Sequence, residues 1–274
     1  MLAQLAVATT LMLTQDTPAA LVDKLQCTAF EWAAVDGRER GAIRVPVVVD
    51  GEAMLFQLDT ASEGSMVYGR EGAVLGASAG GLEIPPMFFF GKPDQAPGGG
   101  TLGLDAFVGR VAVLDYPGRR FCLMTQADFP YALYRRTKWA DSALRNGRLF
   151  VPITINGEVE TSFFFDTGSS LFTLAVDLER WRDLTGLGST ADASDVVEAM
   201  AWGEPIRVVG APITGTLSIA GVDIPNASAF VREGEPDFLA ETQEDADGLI
   251  GNAGVWDKVV VIYLGARPRF GIVE

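Results

Sequence analysis

The chain has 274 residues, 48% of them apolar and 21% charged, a globular composition with room for two modest domains or one large one. A net charge of −15 with no strongly basic run sets nucleic acid aside as a partner, since a phosphate backbone would be repelled. Histidine is absent, which removes Ser-His-Asp and Cys-His catalysis and the commonest zinc ligand; acid–base chemistry falls to carboxylates, Tyr, Lys or Cys, and no metal or cofactor is expected.

Residues 1–27 open with a mostly apolar stretch, Leu2 to Leu13. It is too short to span a bilayer as a helix, so stable membrane insertion is not expected. It resembles the apolar part of a signal peptide, with a weak cleavage signal near Thr17 to Ala20, but no Lys or Arg precedes it. Two expectations stand: export to the periplasm or medium, which is preferred, or an N-terminal helix of the mature protein. The cysteines, Cys27 and Cys122, are too far apart for a C-x-x-C motif. They form one disulfide in an exported protein or remain buried thiols.

From residue 43 onward the chain repeats itself. Residues 43–62 read IRVPVVVDGEAMLFQLDTAS and residues 149–170 read LFVPITINGEVETSFFFDTGSS. Each has Val-Pro, an apolar alternation, a two-residue turn, a second apolar strand and Asp-Thr. The turns, Asp50-Gly51 and Asn156-Gly157, are strong hairpin signals because type I′ geometry needs positive φ. A second block also recurs. Residues 101–123 and 248–272 each carry an apolar residue before Gly103 or Gly251, then Asp105 or Asn252 at an expected helix N-cap, a short helix, a strand, an Arg-bearing turn and a last strand. The order predicts a mostly β protein of two homologous lobes, residues 28–125 and 148–274. Residues 126–147 break the strand pattern and are expected as a linker with a helix over 138–145.

Each copy of the first block ends its strand on a carboxylate, Asp59 in LDTAS and Asp166 in FDTGSS. Asp166 follows three phenylalanines, so it must find hydrogen-bond partners beside a buried strand. Paired carboxylates a few ångströms apart share one proton; the ionised member can activate a water while the protonated one donates to a carbonyl oxygen. At this point the chain resembles the aspartic peptidases, the pepsin and retropepsin superfamily. The matching residues are Asp59-Thr60-Ala61-Ser62, Asp166-Thr167-Gly168-Ser169, and the apolar-Gly elements Leu102-Gly103 and Leu249-Ile250-Gly251. The ending Val259 to Ile272 is similar to bacterial retropepsin-like proteins. The resemblance implies two β-barrel lobes with a cleft between them and an endopeptidase acting on peptide or protein substrates. In it Asp59 and Asp166 are catalytic, Thr60 and Thr167 brace the two loops, and Ser62 and Ser169 bond the outer carboxylate oxygens. It also implies a monomer, because the two lobes form an internal pseudo-dimer.

One departure opens a rival. The family has Gly where this chain has Ala61, and an added methyl threatens the carboxylate geometry. The alternative is an inactive relative kept as a peptide-binding or structural module. Gly98 to Gly103 also satisfies G-x-G-x-x-G, but neither a strand directly before it nor a full helix after it is predicted, so a dinucleotide site is rejected. Finally, Asp59 to Gly81 spans 22 positions while Asp166 to Gly221 spans 55. The surplus in lobe two holds two apolar runs around Trp202 and Gly203, read as a single hairpin flap with Trp202 near its tip, the alternative being a hairpin that extends the lobe-two sheet with Trp202 in the core.

Overall fold

The structure is a computed structural model describing residues 17–69, 74, 76–90, 99–201, 204–235, 237–242 and 245–274. It is mostly β, with two lobes facing each other across a cleft. The two predicted hairpins form where the turn chemistry places them. Arg38–Val49 pairs with Glu52–Leu58 across Asp50 (φ 49°) and Gly51 (φ 84°), and Ile153–Ile155 pairs with Glu158–Glu160 across Asn156 (φ 52°) and Gly157 (φ 86°). Alternation decides which face is buried: Ile43, Val45, Val47 and Val49 point inward on one strand, Met54, Phe56 and Leu58 on the next.

The duplicated blocks meet in the same way in both lobes. Glu52–Leu58 runs parallel to Gly99–Leu102, and Phe163–Asp166 runs parallel to Gly248–Gly251. Short 3-10 helices follow, Leu104–Phe107 and Asn252–Val255. The landing strands are equivalent too, since Met66–Tyr68 pairs parallel with Phe88–Phe90 as Leu174–Val176 does with Ser228–Arg232. Gly99–Leu102 of the G-x-G-x-x-G run therefore form a buried strand, not a phosphate loop, and Gly103 precedes the 3-10 helix; Gly98 lies outside the described residues.

A six-stranded sheet joins the lobes: Thr28–Ala29, Arg120–Thr125, Arg110–Asp115, Val259–Tyr263, Arg269–Val273 and Thr137–Asp141, in that order. Its central contact pairs Arg110–Asp115 of one repeat with Val259–Tyr263 of the other. The expected linker is corrected here. Thr137–Asp141 is an edge strand paired with Arg269–Val273, and the helix of this segment is Tyr131–Arg136 rather than 138–145. Ladder pairing to the last strand outweighs any local helical preference. The helix Pro18–Val22 and Leu133 of the second helix cover one face of the sheet, burying Leu21 and Val22 beside Val111, Val113 and Val261. Cys27 and Cys122 are disulfide-bonded there, tying the chain entry to Arg120–Thr125. Among the described residues no helix is long and apolar enough to cross a membrane.

Candidate active site

The two Asp-Thr loops are pinned by the strands that run beside them. The Asp59 N–H donates to the Leu102 carbonyl, and Leu104 N–H donates back to Ser62. In the other lobe Gly251 N–H reaches Thr173 and Asn252 N–H reaches Ser169. The apolar-Gly elements need glycine because the loops lie against them: a Cβ on Gly103 would fall 2.6 Å from the Gly64 backbone, and one on Gly251 would fall 2.3 Å from the Ser169 carbonyl. Asp105 and Asn252 are not the N-caps expected of them. Asp105 accepts from the Ser65 N–H (3.0 Å) and hydroxyl (2.6 Å), while Asn252 donates to the Thr167 carbonyl (2.7 Å) and Ser170 hydroxyl (2.8 Å). Both therefore hold the loops from behind. Tyr116 completes the second support, donating its hydroxyl to Asn252 Oδ1 at 2.6 Å.

The carboxylates converge at Gly168. A Cβ there would sit 2.8 Å from Asp59 Cγ and 3.0 Å from Asp166 Oδ1, so only glycine leaves both in place. Asp166 is 7% exposed. Its Oδ1 accepts the Gly168 N–H at 2.8 Å and its Oδ2 the Ser169 hydroxyl at 2.7 Å. Asp59 Oδ1 accepts the Ala61 and Ser62 N–H groups at 3.0 and 3.1 Å. Burial, then the negative charge of Asp166, pushes the Asp59 carboxyl up to about 7. Burial also raises Asp166, but the Ser169 hydroxyl and the loop N–H groups counter it by stabilising the ionised form. Both carboxyls thus stand above the ordinary carboxylate range and titrate as a pair.

The supporting residues are less symmetric than their sequences. Thr60 and Thr167 are fully buried and bond one another across the lobes. Ser169 bonds its carboxylate, but Ser62 does not; its hydroxyl donates to the Gly64 carbonyl at 2.9 Å. Ala61 packs against the cluster of Phe150, Phe164 and Leu239 while its N–H still serves Asp59. The methyl is accommodated without losing that bond. Tyr68 is half-buried on the cleft wall with its hydroxyl bonded to that of Thr101.

Around the pair lies a cavity of about 660 Å³. The lobe-two hairpin, Asp195–Ala201 with Glu204–Pro212, extends the sheet of its lobe and lines this cavity with Ala199, Met200, Ile206 and Val208. Trp202 and Gly203 lie outside the described residues. The expectation of a single hairpin is corrected, because the first lobe supplies one as well. Glu31–Val35 pairs with the start of Arg38–Val49, and Ala33, Val35 and Ala42 line the same cavity. At its tip Arg38 grips Asp195 through two bonds, 3.1 and 2.6 Å, and Asp36 accepts the Glu198 N–H at 3.1 Å. Its turn, Asp36 (φ 51°) and Gly37 (φ 70°), carries the same Asp-Gly signal as Asp50-Gly51 and was legible on that ground. Among the described residues no group of three or more His, Cys, Asp or Glu is placed to hold a metal.

No protein-family model matches the sequence, and no curated protein matches it. Among solved structures the chain is similar to an aspartic proteinase from Irpex lacteus, at 11% identity over 85% of this chain and 94% of that one, with a TM-score of 0.51. Basic 7S globulin from soybean also matches, at 10% identity over 91% and 95% of the two chains, with a TM-score of 0.47. The likeness to the proteinase shows that the fold is the pepsin-like aspartic-protease fold.

Proposed function

We propose that this protein is an aspartic endopeptidase of the retropepsin-like kind, acting on peptide or protein substrates. One observation carries the reading: carboxylates from two equivalent loops converge on Gly168, and burial raises both above the ordinary carboxylate range. In the reaction ionised Asp166 takes a proton from water as its oxygen attacks the scissile carbonyl carbon. Protonated Asp59 donates to the carbonyl oxygen, giving a neutral gem-diol. That intermediate collapses when the carboxyl that took the water's proton passes it to the amide nitrogen, which leaves as the amine, while the other carboxylate takes a proton from the gem-diol, so the pair holds one proton throughout. No covalent enzyme intermediate forms. Residues of both hairpins line the cavity that holds the carboxylates.

The deciding experiment is hydrolysis of a mixed peptide library by the purified protein, with Asp59→Asn and Asp166→Asn as controls and a statine-type transition-state mimic as inhibitor. Cleavage lost in both variants and blocked by the mimic supports the reading; substantial activity in either variant refutes it. Peptide binding without cleavage by the unaltered protein would favour the inactive module instead. We propose further that the protein works as an exported monomer, in the periplasm or medium, on the strength of the apolar N-terminus and the single disulfide.

A further inference from the structure

The cavity wall carries charged side chains beyond the aspartate pair, and almost all are engaged. Arg232 pairs with Glu235, Asp177 accepts the N–H groups of Leu239 and Ala240, and Arg148 donates to the Asn146 carbonyl with its guanidinium over Phe164. Arg44 is different. It lines the cavity half-buried, and its guanidinium makes no hydrogen bond, ion pair or ring contact with any described residue. Glu31, its register partner on one side, is exposed and forms no ion pair with it. On the other side its register partner is Gln57, which also lines the cavity and whose carboxamide is also unpartnered among the described residues. A guanidinium and a carboxamide thus stand side by side on one face of adjacent strands, donors without acceptors. That pairing suits a carboxylate, which takes bidentate bonds from arginine.

The position sets the subsite. Gln57 lies two residues before Asp59, about 7 Å along the strand, and Arg44 is about 5 Å across on the next strand. An extended peptide advances about 3.4 Å per residue, so this pair meets a group two or three residues from the scissile bond. Beyond Arg44 the wall continues through Ala42 and Ala33 to the place where the lobes touch. Val35 packs against the second-lobe cluster of Leu171, Phe172, Val197, Val208 and Phe230, and Arg38 bonds Asp195 outside it. A substrate chain has little room to continue past that contact.

From these observations we infer that Arg44 and Gln57 form a carboxylate-recognising subsite near a closed end of the cleft. The substrate presents either an acidic side chain or its own C-terminal carboxylate there. This rests on the peptidase reading for its scissile-bond frame, but the subsite itself is a binding property. The protein's net charge of −15 does not supply this recognition, so the selectivity must come from the local pair.

The test uses quenched fluorescent peptides with one apolar scissile pair and Glu, Gln or Lys placed singly at the second or third position on either side. A shorter set ends at those positions with a free or amidated C-terminus. At one position kcat/KM should favour the free carboxylate over its neutral counterpart by roughly ten- to a hundredfold, the range of a charge-assisted hydrogen bond. Arg44→Ala should bring that ratio near one, Arg44→Lys should retain part of it, and Arg44→Glu should turn the preference toward Lys. The set showing the larger ratio identifies side chain or chain terminus as the source. Kd values for labelled versions of the same peptides, measured by fluorescence anisotropy on Asp59→Asn protein, read the subsite without catalysis. Carboxylate- and Arg44-dependent binding without any cleavage by the unaltered protein would uphold the subsite while the peptidase reading falls. Equal kcat/KM and Kd for Glu, Gln and amidated peptides, or a preference that survives Arg44→Ala, would overturn the inference.

Discussion

Thr60 and Thr167 hold each other's loops: the N–H of each donates to the hydroxyl oxygen of the other at 3.0 Å. The Thr60 hydroxyl in turn donates a hydrogen bond to the Phe165 carbonyl at 2.7 Å, so the brace reaches into the strand that carries Asp166. Both residues are wholly buried, and water cannot replace a lost partner. Thr167→Val should therefore leave the Thr60 N–H unsatisfied and cost about 1–3 kcal/mol. Thermal unfolding should show the loss, and kcat should fall at least tenfold because the carboxylates are no longer held in register. Thr167→Ser, which keeps the acceptor, should recover most of both.

The raised Asp59 carboxyl predicts two pH dependences with one origin. Activity requires the single-proton pair, so kcat/KM should fall as pH rises through about 7, where Asp59 ionises. Stability should already fall at lower pH, between about 4 and about 7. The native carboxyl stays protonated to about 7, whereas the unfolded one ionises near 4, so between these values the native state binds more protons and stability drops as pH rises. Below about pH 4 the difference vanishes. Asp59→Asn, which cannot ionise, should be inactive yet more stable than the unaltered protein by a few kcal/mol at pH 8, with a smaller gain at pH 4. Equal gains at both pH values, measured by denaturant titration, would contradict the assignment.

Gly168 and Ala61 occupy equivalent places but should respond differently. A methyl at Gly168 would fall 2.8 Å from Asp59 Cγ, so Gly168→Ala should lower kcat by roughly a hundredfold through misplaced carboxylates. Ala61→Gly removes a methyl packed against Phe150, Phe164 and Leu239, and its cost should be about 1 kcal/mol of stability. Its effect on kcat/KM should be at least tenfold smaller than that of Gly168→Ala. Steady-state kinetics of the two variants side by side decides the matter.

The bond between Cys27 and Cys122 closes a long loop and fastens the first helix to the sheet joining the lobes. Thiol titration of denatured, unreduced protein should find no free thiol, and reduction should expose two. Reduction should lower stability by about 2–4 kcal/mol, read by chemical denaturation with and without reductant. Two free thiols in protein from its native host would count against both the bond and export.

The sequence by itself determined the parts whose signals are local. Asp50-Gly51 and Asn156-Gly157 specify tight turns through positive φ, the alternation from Ile43 to Val49 specifies a buried face, and the duplicated order places one carboxylate at the end of each strand. Asp59 and Asp166 were legible for that reason. The tertiary structure decided everything that depends on contacts between distant segments. Thr137–Asp141 became a strand only because Arg269–Val273 offers it a ladder. Ser62 turned from its carboxylate to the Gly64 carbonyl, a choice that nothing in the matching Ser169 foretells. The hairpin at Asp36-Gly37 was visible as a turn, but its grip on Asp195 joins residues 157 or more positions apart. Arg44 and Gln57 face the cavity through strand pairing, and neither side chain finds a partner among the described residues. Periodicity tells a residue which face it occupies; only the packing of one lobe against the other tells it what that face will meet.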